Sequence, residues 1–177
     1  MLHFAPERRL SRLLRGLAGE YVTADLMRPA VDLKLNIEAL DLPDASFDVV
    51  IAHQILEHVD HHKALAECFR CLRPGGLVIA TFPIVEGWST TYENPSITSK
   101  RDRFLHFGQF DHIKFFGRDI RVHIGAAGFE IEEFVSVEPD VVRYGLIRGE
   151  TLFILKKPRS QQTTKIGSQP ATAAKKD

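Results

Sequence analysis

The sequence predicts an α/β fold built on a parallel sheet, and three observations carry that prediction. Phe47-Asp48-Val49-Val50-Ile51-Ala52 is a short, nearly unbroken apolar run rich in β-branched residues, the pattern of a strand buried on both faces. A helix follows, with Asp60 placed to cap it and Ala64, Leu65, Phe69 and Leu72 recurring at helical spacing. Pro74-Gly75-Gly76 stops that helix, because proline lacks an N–H and glycine accepts positive φ, and Leu77-Val78-Ile79-Ala80-Thr81-Phe82 is a second buried strand. Strand, helix, strand at this length is a crossover joining two parallel strands.

Size and charge narrow the class. The 177 residues suit one domain with a sizeable core. With 23 basic and 23 acidic side chains the formal net charge is zero, so no global field favours a nucleic acid or a membrane surface, and neither partner is expected. No apolar run approaches the roughly 20 residues of a membrane span. No basic-plus-apolar leader opens the chain, so a cytoplasmic location is expected. Cys68 and Cys71 fall near the end of the helix just described. A redox pair belongs after a strand at a helix start, and zinc needs further ligands, so the two are read as ordinary thiols.

Taken in order, the chain opens on Met1-Leu2-His3-Phe4, which reads as the end of a strand. Pro6-Glu7 forms the first turn of a helix whose apolar stripe is Leu10, Leu13, Leu14 and Leu17, with Gly19 able to end it. Only Met1 precedes that strand, so a domain short at its N-terminus is expected. Glu20-Tyr21-Val22-Thr23-Ala24-Asp25 is the next strand and ends in a carboxylate. Asp25 lies 18 positions after Glu7, close to the roughly 20-residue spacing at which an acidic group accepts hydrogen bonds from ribose hydroxyls. An aspartate ending a strand also serves simply as a cap. Leu33-Lys34-Leu35-Asn36-Ile37 is a short third strand, and a polar turn, Leu40 to Ser46, leads back to Phe47.

The loop His53-Gln54-Ile55-Leu56-Glu57-His58-Val59 leaves the carboxyl end of a parallel strand, where open α/β sheets bind ligands. FDVVIAHQILEHV followed by LRPGGLVIATFP resembles, in order and spacing, the motifs around the fourth and fifth strands of class I S-adenosylmethionine-dependent methyltransferases. The likeness runs over roughly residues 2–135. The segments HFAPE and FGQFDHIKFFGRD are similar to one bacterial subgroup of the type 11-like members. The resemblance implies a doubly wound, Rossmann-like, seven-stranded sheet in three αβα layers, and S-adenosylmethionine as cofactor.

The resemblance also implies a cofactor-binding set. The first strand-to-helix turn would contribute His3, Ala5 and Glu7, with Ala5 where a glycine usually lets the backbone approach the cofactor. Asp25 would take the ribose. Asn36 matches a position, usually aspartate, that meets the adenine amino group, while the backbone N–H of Ile37 serves a ring nitrogen. On the residues alone, Asn36 equally reads as the end of a strand. His53 and Gln54 sit where the methionine portion or the substrate passes.

Glu57-His58-Val59-Asp60-His61-His62 looks like a metal cluster, and some methyltransferases hold a divalent ion through a Glu-x-x-Glu-His pattern. Gln54 stands where the first Glu would be. A hard cation is held chiefly by carboxylates, so no metal is expected, and His61 and His62 are read as exposed first-turn residues.

The stretch 84–116 has no clear period. A long irregular insert in a compact domain is usually functional or disordered, and the aromatic content of this one argues against disorder. It follows a strand at the ligand edge and is read as a substrate lid. If the acceptor is a hydroxyl, a base on its proton is needed, and His106, Asp111 and His112 are the candidates. The alternative makes Asp111 a salt-bridge partner of Arg101 or Arg103 and the histidines hydrogen-bonded spacers. Beyond the insert, Gly117-Arg118-Asp119 starts a helix running to Gly128, Phe129 to Val135 alternates as a strand, and Glu150 to Leu155 forms the last one, expected antiparallel between its neighbours. Residues 1–157 make one methyltransferase domain and 158–177, with almost nothing apolar, a disordered tail.

Three functions are compatible with this pattern. The first is a methyltransferase acting on a small polar acceptor such as a sugar or another metabolite. The second is a degenerate, non-catalytic relative that binds a nucleoside-like ligand or a protein. The third is a nicotinamide-dependent oxidoreductase, which shares the sheet but requires a GxGxxG turn that this sequence lacks.

Overall fold

The computed structural model describes residues 1–159. Its main sheet holds six strands: β1 (Leu2–Phe4), β2 (Val22–Ala24), β3 (Phe47–His53), β4 (Leu72–Thr81), β7 (Glu130–Val135) and β8 (Thr151–Lys156). They lie in the order β2-β1-β3-β4-β8-β7. β2, β1, β3 and β4 run parallel, and β8 is antiparallel to both β4 and β7, as expected of the last strand. The outer elements are α1 (Arg8–Arg15), α2 (His61–Cys71), α4 (Ile120–Ala126) and the short α5 (Asp140–Tyr144).

The central strands are buried because they carry apolar side chains on both faces. Leu2, Phe4, Val50, Ala52, Val78, Ala80, Phe153 and Leu155 from the sheet join Leu65 and Cys68 of α2 and Ile120 and Ile124 of α4 in one core. Each of the Leu, Ile, Val and Phe side chains among them contributes about 1.5–3 kcal/mol by leaving water. The Asp60 carboxylate accepts the N–H groups of His62 and Lys63, so α2 begins as the sequence predicts. Cys68 and Cys71 are buried in the core as free thiols, and burial pushes the Cys68 thiol up to about 12, which makes it inert.

Four expectations are corrected. The third strand, expected at 33–37, is reduced to one parallel bridge between Ala24 and Leu33, so the sheet has six strands rather than seven. The Asp32 carboxylate accepts the N–H and the hydroxyl of Thr23 beside that bridge, and Asn36 then turns the chain by accepting the Glu38 N–H. α2 ends at Cys71, before the proline, and Leu72 already pairs with Phe47; the Arg73–Gly76 segment forms an irregularity within β4. α1 ends at Arg15 with Gly16 as its cap, and Leu13 and Leu17 are 62% and 74% exposed, so only the Leu10 and Leu14 side of the stripe packs inward. His61 is buried rather than exposed, because the insert folds back over it.

That insert is ordered. It holds a two-stranded ladder of β5 (Tyr92–Glu93) with β6 (Lys114–Phe115), and α3 (Lys100–Phe107), capped by Ser99 and closed by Gly108 at φ 73°. Its two ends lie side by side: Ile84 bridges Phe116, the Val85 N–H donates to the Phe116 carbonyl at 2.8 Å, and Arg118 N–H to the Trp88 carbonyl at 2.9 Å. A Cβ on Gly117 would lie 2.4 Å from the backbone carbon of Thr90, so only glycine allows this crossing. Lys114, buried beneath the ladder, pairs with Glu93 at 3.0 Å and donates to His61 Nδ1 at 2.9 Å. An ammonium can only donate, so His61 Nδ1 accepts and its Nε2 carries the proton toward His123 Nδ1, 2.9 Å away. The tail expected from residue 158 lies, from residue 160 onward, outside the described residues.

Two predictions follow from the backbone and from this buried histidine. Ala5 sits at φ 45°, where a side chain costs about 1–2 kcal/mol. Ala5→Gly is therefore expected to leave stability unchanged or raise it by up to about 1 kcal/mol in urea unfolding, against the loss of about 0.5–1 kcal/mol that glycine causes at ordinary φ. Burial, and next the Lys114 ammonium, lower the His61 pKa from 6.5 to about 3. The unfolded chain binds this proton below pH 6.5 and the folded one does not, so the stability is fully present above 6.5 and is lost as pH falls toward 3. His61→Asn is expected to narrow the stability gap between about pH 7.5 and about pH 5 by roughly 2 kcal/mol; an equal gap in both proteins would refute the assignment.

Candidate active site

The parallel register brings the carboxyl ends of β1, β2, β3 and β4 to one edge. Phe4 lies beside Ala24 and Ala52, and His53 lies beside Thr81. The loops leaving that edge enclose a cleft of about 590 Å³ lined by Phe4, Ala5, residues 25–28, residues 35–37, Gln54, Ile55, His58 and Val59, with Gln109 and Asp111 from the insert. That volume lies within the roughly 300–1,000 Å³ of small-molecule sites.

Five of the eight expected cofactor residues line this cleft: Ala5, Asp25, Asn36, Ile37 and Gln54. One Asp25 oxygen, Oδ1, accepts the N–H groups of Met27 (2.6 Å) and Arg28 (2.7 Å); among the described residues Oδ2 has only the Arg28 guanidinium, at 3.6 Å. Both readings of Asp25 are therefore compatible in one residue, a cap on one oxygen and an available acceptor on the other. Asn36 Oδ1 is engaged by the Glu38 N–H at 3.0 Å, which is the turn-forming reading, and its amide NH₂ is left to donate. Gln54, at φ 50°, holds its loop to β4 by donating its N–H to the Thr81 carbonyl and its amide to the Thr81 hydroxyl.

His3, Glu7 and His53 stand behind the cleft as a linked row. His3 is wholly buried, with Nδ1 2.6 Å from the Tyr21 hydroxyl and Nε2 3.2 Å from Glu7 Oε2, though that last contact is not aligned as a hydrogen bond. Burial lowers the His3 pKa, and Glu7 opposes it. Glu7 Oε1 lies 3.8 Å from His53 Nε2, and His53 Nδ1 meets the Thr81 hydroxyl. The row ties β1, β3 and β4 together under the first loop.

The three candidate bases separate. Asp111 lines the cleft, 3.8 Å from His58 Nδ1 and 3.2 Å from Gln109 Nε2. It is not paired with Arg101 or Arg103 among the described residues. His112 is 6% exposed and packs edge-on against His58 behind the cleft wall; burial and then His58 lower its pKa, opposed by Asp111. His106, on α3, points away and meets the Tyr92 hydroxyl at 2.7 Å, so it is outside the cleft. The helical period of α3, invisible under the aromatic composition of the insert, turns it to that side.

Sequence reasoning did not assign His58, Glu57, Arg28 or Gln109 to the site. Glu57, in the 3₁₀ turn Leu56–His58, has no exposure and neither carboxylate oxygen makes a hydrogen bond; burial pushes its carboxyl up to about 7. Arg28 spans the rim, donating to the carbonyls of Pro6 and Ala5 at 3.2 and 3.4 Å.

A family model described as "Methyltransferase domain" matches residues 10–80. A protein of Mycolicibacterium smegmatis named probable S-adenosylmethionine-dependent methyltransferase is 33% identical over 111 residues, covering 62% of this chain and 39% of that protein. The ubiquinone/menaquinone biosynthesis C-methyltransferase UbiE of Escherichia coli is 31% identical over 124 residues, covering 62% and 49%. The chain thus spans half or less of the length of these curated relatives. Among solved structures, the 1,6-didemethyltoxoflavin-N1-methyltransferase of Burkholderia thailandensis, with its substrate and S-adenosylhomocysteine bound, has a TM-score of 0.59 at 16% identity over 89% of this chain and 71% of that one. At that identity the likeness is one of fold. The sheet order, the cleft at the carboxyl ends of β1, β2 and β3, the match over residues 10–80 and these relatives together support a class I S-adenosylmethionine-dependent methyltransferase.

Proposed function

We propose that the chain binds S-adenosylmethionine in this cleft and transfers its methyl group to a small polar acceptor, a sugar or another metabolite hydroxyl. The observation that carries the reading is the two-sidedness of the cleft. One end offers Asp25 with an available carboxylate oxygen beside the apolar walls of Leu26, Leu35 and Ile37, suited to ribose and an adenine ring; the other offers His58, Gln109 and Asp111. The relatives named above support the cofactor, and the name of one of them gives carbon as its own acceptor.

The cofactor supplies an electrophilic methyl group, and the protein's task is geometric. Holding acceptor and methyl group in line can lower the barrier by several of the roughly 7–11 kcal/mol available from proximity and orientation. Asp111, which alone of the three candidate bases lines the cleft, is the group we assign to the acceptor's proton, with His58 beside it. The second reading, a relative that binds without catalysing, is favoured by one observation, Ala5 in place of a glycine at positive φ.

Titration calorimetry with S-adenosylmethionine and S-adenosylhomocysteine, with NAD as control, tests the cofactor. The expected result is binding of both sulfur nucleosides and not of NAD, weakened by about 1–3 kcal/mol in Asp25→Ala. Equal affinity in Asp25→Ala would remove the ribose assignment; a parent that binds neither would remove the cofactor reading.

A further inference from the structure

Glu57 is the most conspicuous polar group that the proposed reaction leaves unused. Its carboxylate has no exposure and both oxygens are without a hydrogen-bond partner, an arrangement that costs free energy unless a proton or a cation is supplied. No N–H or O–H group of the described residues donates to either oxygen, so an ionised carboxylate there is left uncompensated. Two imidazoles converge on the same point. Ligand atoms of Glu57, His58 and His112 lie within 4.8 Å of one another, and His112 Nε2 is 4.0 Å from Glu57 Oε1. His112 Nδ1 is also buried without a partner. His58 Nδ1 faces the Asp111 carbonyl at 3.2 Å; a carbonyl only accepts, so Nδ1 donates and Nε2 keeps its lone pair. A metal-binding histidine is commonly held by such a second N–H bond to a backbone carbonyl.

We propose that Glu57, His58 and His112 form a divalent transition-metal site in the wall of the cleft. Two nitrogens and one carboxylate suit zinc, cobalt or iron rather than magnesium or calcium, which take oxygen ligands. This differs from the carboxylate-rich set that the sequence was weighed against: Gln54 is not required, and the third ligand comes from the insert, 54 positions after His58. Tetrahedral bonds of about 2.0–2.1 Å place ligand atoms about 3.3 Å apart, so the three side chains need to contract by about 1 Å. The fold holds them close to that spacing, since the Ile113 N–H donates to the Glu57 carbonyl at 3.0 Å and clamps the insert to the turn. His58 and Asp111 line the cleft, so the position left open faces it and takes Asp111 or an acceptor oxygen as further ligand. That last role rests on the methyl-transfer reading; the binding of the ion does not.

A second trio, His61, His62 and His123, has similar spacing. The Lys114 ammonium sits 2.9 Å from His61, whose two nitrogens are both engaged, so a cation is repelled there.

The test uses the whole chain, stripped with chelator and titrated with Zn²⁺ and with Co²⁺ in the absence of nucleoside. One ion per chain is expected, with the visible ligand-field bands of nitrogen-coordinated Co²⁺ and imidazole scattering in the X-ray absorption of the Zn²⁺ form. Glu57→Gln and His112→Gln are each expected to lower affinity at least about tenfold with an unchanged far-ultraviolet dichroism spectrum, while His123→Gln leaves affinity unchanged. A parent that binds no ion overturns the proposal, as does undiminished binding in Glu57→Gln, loss in His123→Gln alone, or a bound ion without imidazole scattering. Should either cleft variant misfold, the parent's own X-ray absorption decides. None of these readouts depends on S-adenosylmethionine.

Discussion

The parallel ladder of β1, β3 and β4 is the constraint on which the rest of the molecule depends. A parallel sheet covered on both faces is buried at every position: Leu2, Phe4, Val50, Ala52, Val78 and Ala80 line one face, and His3, Ile51 and Ile79 lie on the other. The same pairing aligns Phe4, Ala52 and Ala80 across the sheet, so the chain leaves all three strands at one edge. The cleft groups from Phe4 to Val59 are a consequence of that alignment. Glu7, bridging towards His3 and His53 behind the first loop, adds a polar tie where the strands end.

The insert converts that edge into an enclosed site. Its two ends are bonded to each other through Val85 and Phe116, so it is an excursion from a closed neck rather than a free loop. Arg121 reinforces the neck, meeting Glu86 at 2.7 Å and Glu133 of β7 at 2.6 Å. Lys114 and His61 then bury the underside, which fixes Gln109 and Asp111 over the cleft. The polar wall is thus positioned by contacts between residues some fifty positions apart in the chain.

That separation explains what the sequence discloses and what it does not. The crossover around Phe47–Ala52, the Asp60 cap and the antiparallel last strand depend on local period and on residue type, and they are legible. Ala5 is legible as a departure, and its positive φ gives the physical reason a glycine suits that turn. The reduction of the third strand turns on the Asp32 side chain reaching Thr23, nine positions away, which no propensity encodes. His61 carries the pattern of an exposed first turn and is covered by Lys114 and Phe116 of the insert and by His123 of α4. Glu57 and His112 are ordinary residues until the Ile113–Glu57 bond brings them together. His106 lies in α3 and Asp111 beyond the Gly108 cap, a boundary that eight residues of mixed polarity conceal.

The central claim is that one cleft, at the carboxyl ends of β1, β2 and β3, receives the nucleoside cofactor. Hydrogen–deuterium exchange with and without S-adenosylhomocysteine tests it most directly, because it reports each loop separately. The account predicts slowed exchange in the loops around Ala5, Asp25–Arg28, Asn36–Ile37 and Gln54–Val59, with β7 and β8 unchanged. Exchange that slows elsewhere while these four loops remain unaffected would contradict it.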